Sequence, residues 1–235
     1  KGWFMRDKDG KPVYGTPTDP RGPDLDTTNP ECGQWLWGKI RDGYYKNGFS
    51  AWWLDETEPD IPPLEYYFHV GSGARYFNLY PYTHAEAVYK GHRKDTKERC
   101  LSMLRAAFTG TQRFGAIFWS SDINCTWDAY KRQVPCGLNF CASGMPYWSS
   151  DIGGWHSLDH PLAGFGYYPD EYPELFIRWF QYGAFCPIFR THGRRKENEV
   201  WSYGEEAERI LVKYLKLRYR LIPYIYSNAW FTWKT

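Results

Sequence analysis

The chain has no run of about 18 apolar residues, so nothing in it reads as a membrane-spanning helix. It has no excess of either charge. With 29 basic and 27 acidic residues the net charge is only +2, which gives no electrostatic case for nucleic acid, an anionic membrane surface or an acidic substrate. No C-x-x-C pair occurs among Cys32, Cys100, Cys125, Cys136, Cys141 and Cys186, and no histidine stands near them at zinc-ligand spacing. Free buried thiols are expected and no metal is implied. A G-x-S-x-G elbow, a P-loop and a G-x-G-x-x-G turn after a strand are missing as well. Their absence removes serine-hydrolase, nucleotide-phosphate and dinucleotide chemistry, leaving a neutral partner and no cofactor.

What is abundant is aromatic. Thirteen Trp, 20 Tyr and 14 Phe make one residue in five an aromatic, while mean hydropathy is −0.66. Sugars present flat C–H faces beside hydroxyls, and stacked rings among polar groups suit them. A Trp-rich core fits the same composition. At 235 residues and 43% hydrophobic, the chain has enough apolar material for a sizeable core.

Residues 1–30 are dense in Gly, Pro and Asp and read as a hairpin followed by a long loop. From Asn29-Pro30 a helix is expected to about Lys46, stopped at Asn47-Gly48. The run FSAWWL before Asp55 is short enough to be a buried strand. Helices are expected over about Thr83–His92 and Thr96–Leu104. A strand AIFW, a helix near TWDAYKRQV, a strand MPYW, a helix near PELFIRWFQYGAF and a strand IFR follow. A long helix from about Glu205 to Tyr226 ends the pattern. Strands alternating with helices predict βαβ units and a parallel sheet, with all strand carboxyl ends on one face.

Three of those strands run through aromatics into Asp: AWWLD to Asp55, FWSSD to Asp122 and YWSSD to Asp151. Each Asp alone also fits the amino-terminal cap of a following helix. Three beside Trp, at the mouth of a parallel barrel, point to paired-carboxylate chemistry of the kind that cleaves glycosidic bonds. FRTHG adds Arg190 and His192 to the same mouth. This pattern does not rank Asp122 against Asp151.

The blocks WWLDETEPD, RAAFTGTQRFGAIFWSSD, GMPYWSSDIGG and RWFQYGAFCPIFRTHG, in this order, resemble glycoside hydrolase family 31 over nearly the whole chain. The resemblance implies an α/β (β/α)8 TIM-barrel fold and retaining α-glycosidase activity on an oligosaccharide. It implies Asp55 as nucleophile and Asp122 as general acid/base, with their carboxyls about 5 to 6 Å apart as retention requires. Trp53, Arg105, Trp119, Asp151, Trp155 and His192 would then line the sugar subsite. The flanks of WWLDETEPD are most similar to bacterial α-xylosidases that trim xyloglucan oligosaccharides. α-Glucosidase, transglycosylase and a non-catalytic carbohydrate-binding fragment are the other readings.

Against the family pattern, Ser50 replaces the usual Asp in G-F-D-A-W-W, roughly 16 Å along the strand from Asp55. An effect on stability rather than chemistry is expected there. The resemblance assigns residues 1–30 to the loop after the third barrel strand and residues 31–235 to strands four to eight with their helices. Such an incomplete barrel has an open parallel edge, which admits association into a homo-oligomer.

Overall fold

A computed structural model of the chain describes residues 1–14, 22–58, 63–156, 169–194 and 198–234. It divides into two compact units, Lys1–Phe118 and Trp119–Thr235. Part of the expected amino-terminal loop, residues 15–21, lies outside the described residues.

The first unit opens with the predicted hairpin. Asp7 accepts from the backbone N–H groups of Asp9 and Lys11, and Arg6 bridges Pro12 antiparallel. Helix α1, Pro30–Gly43, starts where Asn29 accepts from the Glu31 N–H, with Pro at its first position. Gly48, at φ 95°, then turns the chain into strand β1, Ala51–Leu54. A two-stranded ribbon follows, β2 (Tyr67–Phe68) with β3 (Gly71–Ser72), then the short helix α2 (Gly73–Tyr76) and α3 (Leu79–Asp95).

Strands β4 (Leu101–Leu104) and β5 (Ala116–Trp119) complete the sheet of this unit: β1 pairs β4 and β4 pairs β5, all parallel. These are the βαβ units the sequence predicts. The helix expected over Thr96–Leu104 does not form. Thr96 ends α3 in extended backbone, and Ser102 and Leu104 are buried in strand alternation between two neighbours. The helix-favouring residues of KERCLSML are overruled by pairing to segments distant in sequence.

Which face of β1 meets the helices follows from its burial alternation. Trp52 and Leu54 are buried; Ala51 and Trp53 are not. Trp52 packs edge-on against Trp37 of α1 and donates from its indole N–H to His92 Nδ1 of α3 at 3.2 Å. Gly91 lets α1 and α3 close: a Cβ there would stand 2.1 Å from the Trp37 ring. Trp53, and Asp55 two residues on, therefore belong to the opposite face.

Asp26 organises the chain between hairpin and α1. It is fully buried, with one oxygen accepting from the Thr28 N–H and hydroxyl and the other from the His69 N–H. Asp26→Ala strands those donors, and a loss of about 2–4 kcal/mol is expected, read as a lower urea midpoint at unchanged slope.

In the second unit, Thr126 caps α4 (Trp127–Ala142) by accepting from the Ala129 N–H. Strand β6 (Trp148–Ser149) follows, then α5 (Tyr172–Gly183) and α6 (Glu205–Lys234). The core joins Cys125 and Ile152 to Tyr172, Leu175, Phe176, Trp179 and Phe180 of α5 and to Leu211 of α6. The strand expected at IFR is reduced to a single parallel bridge between Ile152 and Thr191. Just before it, the Arg218 guanidinium takes the carbonyls of Ala184, Cys186 and Pro187. Helix α6 runs past the expected Tyr226 to Lys234.

All six cysteines are free thiols, and the expectation of burial needs correcting at two of them. Cys32, Cys100, Cys125 and Cys186 are buried, Cys136 is half-buried, and Cys141 near the end of α4 is exposed. Burial pushes the Cys32 and Cys186 thiols up to about 11.

Candidate active site

Sheet register builds the first half of the site. Trp53 lies beside Met103 and Leu54 beside Leu104, so continuing one residue past each strand sets Asp55 next to Arg105. The two form an ion pair, Arg105 Nη1 to Asp55 Oδ1 at 3.5 Å. Arg105 is largely buried, its side chain 11% exposed, whereas Asp55 is 43% exposed. A half-exposed Trp53 flanks the carboxylate on the same strand face. The arrangement offers an accessible carboxylate, a guanidinium and an aromatic surface.

Sequence reasoning missed Glu58. Its carboxylate accepts from Arg105 Nε, so one guanidinium serves two carboxylates. Glu56 between them has φ +50°, and among the described residues only Glu56 and Ser121 are non-glycine positions in the left-handed region. The acidic string D-E-T-E was the available signal.

The second unit holds the other predicted residues. Asp122 is exposed, directly after Ser121 at φ +61°. Asp151 closes the same W-S-S-D-I string and differs in every respect: it is fully buried, clasped by Arg190, and Ser150 before it lacks the left-handed backbone. An ion-paired carboxylate accepts hydrogen bonds and has no proton to give. Trp119 is buried, with the Arg190 guanidinium 5.7 Å from its ring centre.

Trp155 and His192 stack, with ring centres 4.8 Å apart and planes 20° from parallel. Backbone bonds hold them: Trp155 N–H donates to the Ile123 carbonyl beside Asp122, and Arg194 N–H donates to the Trp155 carbonyl. Gly154 is required here, since a Cβ would meet the Cys125 backbone at 2.7 Å and its φ is +85°. Ser50, the departure noted above, is exposed and stands just before β1. Among the described residues no group of three or more His, Cys, Asp or Glu is placed to hold a metal ion.

The model of the glycosyl hydrolases family 31 TIM-barrel domain matches residues 1–228. An alpha-xylosidase of Saccharolobus solfataricus is 39% identical over 211 residues, covering 86% of this chain and 28% of that protein. The crystal structure of a family 31 alpha-xylosidase from a soil metagenome, complexed with xylose, is 33% identical with a TM-score of 0.84. That match covers 95% of this chain and 35% of the solved one. A family 31 dextranase of Flavobacterium johnsoniae, complexed with glucose, is 29% identical with a TM-score of 0.85, over 97% of this chain and 29% of that one. The chain therefore spans about a third of the length of these proteins.

Proposed function

Since the chain belongs to glycosyl hydrolase family 31 and carries part of its TIM-barrel domain, we propose that it supplies the catalytic carboxylates of a retaining α-glycosidase, with xylosides as the preferred substrates. One observation carries the assignment of roles: Asp55 and Asp122 are exposed, each beside a residue in left-handed backbone, whereas Asp151 is buried against Arg190. The first two are accessible to a substrate; the third is a fixed anion suited to binding hydroxyls through its neighbours.

In the first step Asp55 attacks the anomeric carbon as the glycosidic C–O bond breaks, and Asp122 gives its proton to the departing oxygen. In the second, Asp122 takes a proton from water as that water displaces Asp55, which leaves as a carboxylate. Two inversions restore the starting configuration. The rings of Trp53 and Trp155 offer surfaces for sugar C–H faces, and Arg105 and His192 offer hydrogen bonds to hydroxyls.

Preference for xylosides rests on the likeness to two α-xylosidases, one of them complexed with xylose. Likeness to a dextranase favours a second reading, an α-glucan substrate. Hydrolysis of aryl α-xylosides and α-glucosides, followed by proton NMR of the fresh product, tests both. Xylose released first as the α-anomer, faster than glucose, is expected. A β-anomer appearing first overturns the double displacement, and faster release of glucose overturns the xyloside preference.

A further inference from the structure

We propose that His92 is a pH-operated latch on strand β1: as the neutral imidazole it accepts the Trp52 indole N–H and holds the strand to α3, and on gaining a proton it must let go. The inference concerns the strand that carries Asp55 and is independent of the role proposed for that carboxylate.

The hydrogen bond fixes the tautomer. An indole N–H only donates, so Nδ1, 3.2 Å from Trp52 Nε1, is a bare lone pair and the single ring proton sits on Nε2. His92 is fully buried, and among the described residues Nε2 has no hydrogen-bond partner. A second proton has one place to go, Nδ1, where it sets N–H against N–H. The imidazolium is then left with two buried donors and no acceptor.

Among the described residues its surroundings offer rings rather than acceptors. Trp37, Tyr45 and Trp52 enclose it, with ring centres 5.7, 5.7 and 6.0 Å away. Trp37 is itself pinned, donating from its N–H to Asp95 at 2.7 Å and lying against Gly91. Asp95 also faces Arg41 of α1 at 3.5 Å. Lys46, beside Tyr45, pairs with Asp42, and the Cys100 thiol ahead of β4 meets the Ser102 hydroxyl. Glu98 favours a cation at His92, whereas Arg93, which donates to the Lys97 and Glu98 carbonyls, opposes it. Burial outweighs both and holds the ring below the ordinary histidine range.

With Trp52 released, His92 takes up its proton near the ordinary value of about 6.5; latched, it does so only at lower pH. The latch is therefore fully closed above that value, and acid favours the released strand as pH falls below it. Trp53 follows Trp52 directly and Asp55 stands three residues on, so release loosens the segment that presents both.

Hydrogen exchange of the Trp52 indole N–H in the native chain tests the latch. It is read by NMR on either side of the ordinary histidine value, at about pH 7.5 and about pH 5.5, in the parent and in His92→Asn, and corrected for the intrinsic pH dependence of exchange. Asn offers an amide oxygen near the place of Nδ1 and has nothing to titrate. The parent should lose about three- to tenfold in protection over this range beyond any loss in His92→Asn, the scale of one proton taken up by the open state. His84, which burial pushes down to about 4, is present in both chains and cancels. Equal losses in the two chains, or none in the parent, overturn the proposal. If His92→Asn does not fold, long-range proton–nitrogen spectra of the parent decide. A bare Nδ1 at the higher pH, with Trp52 protection lost as the ring gains its second proton, supports the latch. A proton on Nδ1 at the higher pH, or a doubly protonated ring with Trp52 still protected, overturns it.

Discussion

Asp55→Ala is expected to lower turnover by about 10^5-fold, because no other group attacks the anomeric carbon once that carboxylate is gone. Arg105, deprived of one partner, still has Glu58, so the variant should fold with little loss of stability. The diagnostic measurement is rescue. Azide entering the space of the missing carboxylate attacks an activated α-glycoside on the face Asp55 used, in a single displacement, and yields the β-glycosyl azide. A product of that configuration assigns Asp55 as nucleophile. An Asp55→Ala chain that still hydrolyses its substrate with retention removes the assignment.

Asp122→Ala should fail differently. General acid catalysis contributes about 10^2- to 10^4-fold, and its loss weighs most on leaving groups that need a proton. An unactivated glycoside should therefore lose roughly 10^3-fold, while an aryl glycoside with an acidic phenol should still lose its phenolate and transfer its sugar to Asp55 nearly as before. For the activated substrate the slow step becomes release from Asp55, since no base remains to deprotonate water. Azide needs no base, so it should accelerate turnover and give the α-azide by double displacement. Opposite azide configurations from the two variants are the expected signature of two carboxylates with two roles. If Asp151→Ala gave the α-azide and Asp122→Ala did not, the roles of the W-S-S-D-I aspartates would be exchanged.

Local signals in the chain were enough for much of this. The strand that ends at Asp55 could be read because FSAWWL is a short apolar run bounded by Gly48 and acidic residues, whereas the burial of Trp52 and Leu54 but not of Ala51 and Trp53 came only with the structure. The caps at Asn29 and Thr126 are side-chain chemistry within three residues of the helix they start. Strand β4 was legible only through its partners. Leu101–Leu104 is extended because β1 and β5 flank it, and neither is near it in sequence. Arg190 and Asp151 pair across 39 residues, and nothing local told Asp151 from Asp122. Glu58 was hidden for a third reason. The turn that returns it to Arg105 sits on a glutamate, a residue type that gives no sign of left-handed backbone.

The repeated W-S-S-D-I string has a consequence for how such a site changes over generations. One pentapeptide holds two backbones here, left-handed at Ser121 and not at Ser150, and presents an exposed acid in one copy and a buried anion in the other. The string has no shape of its own. Part of what distinguishes the buried copy is inherited at another codon, that of the Arg190 which clasps Asp151. Drift at that codon can change the setting of Asp151 while both aspartates remain unchanged in the gene. A family signature built on W-S-S-D would then still match a chain that had lost its chemistry.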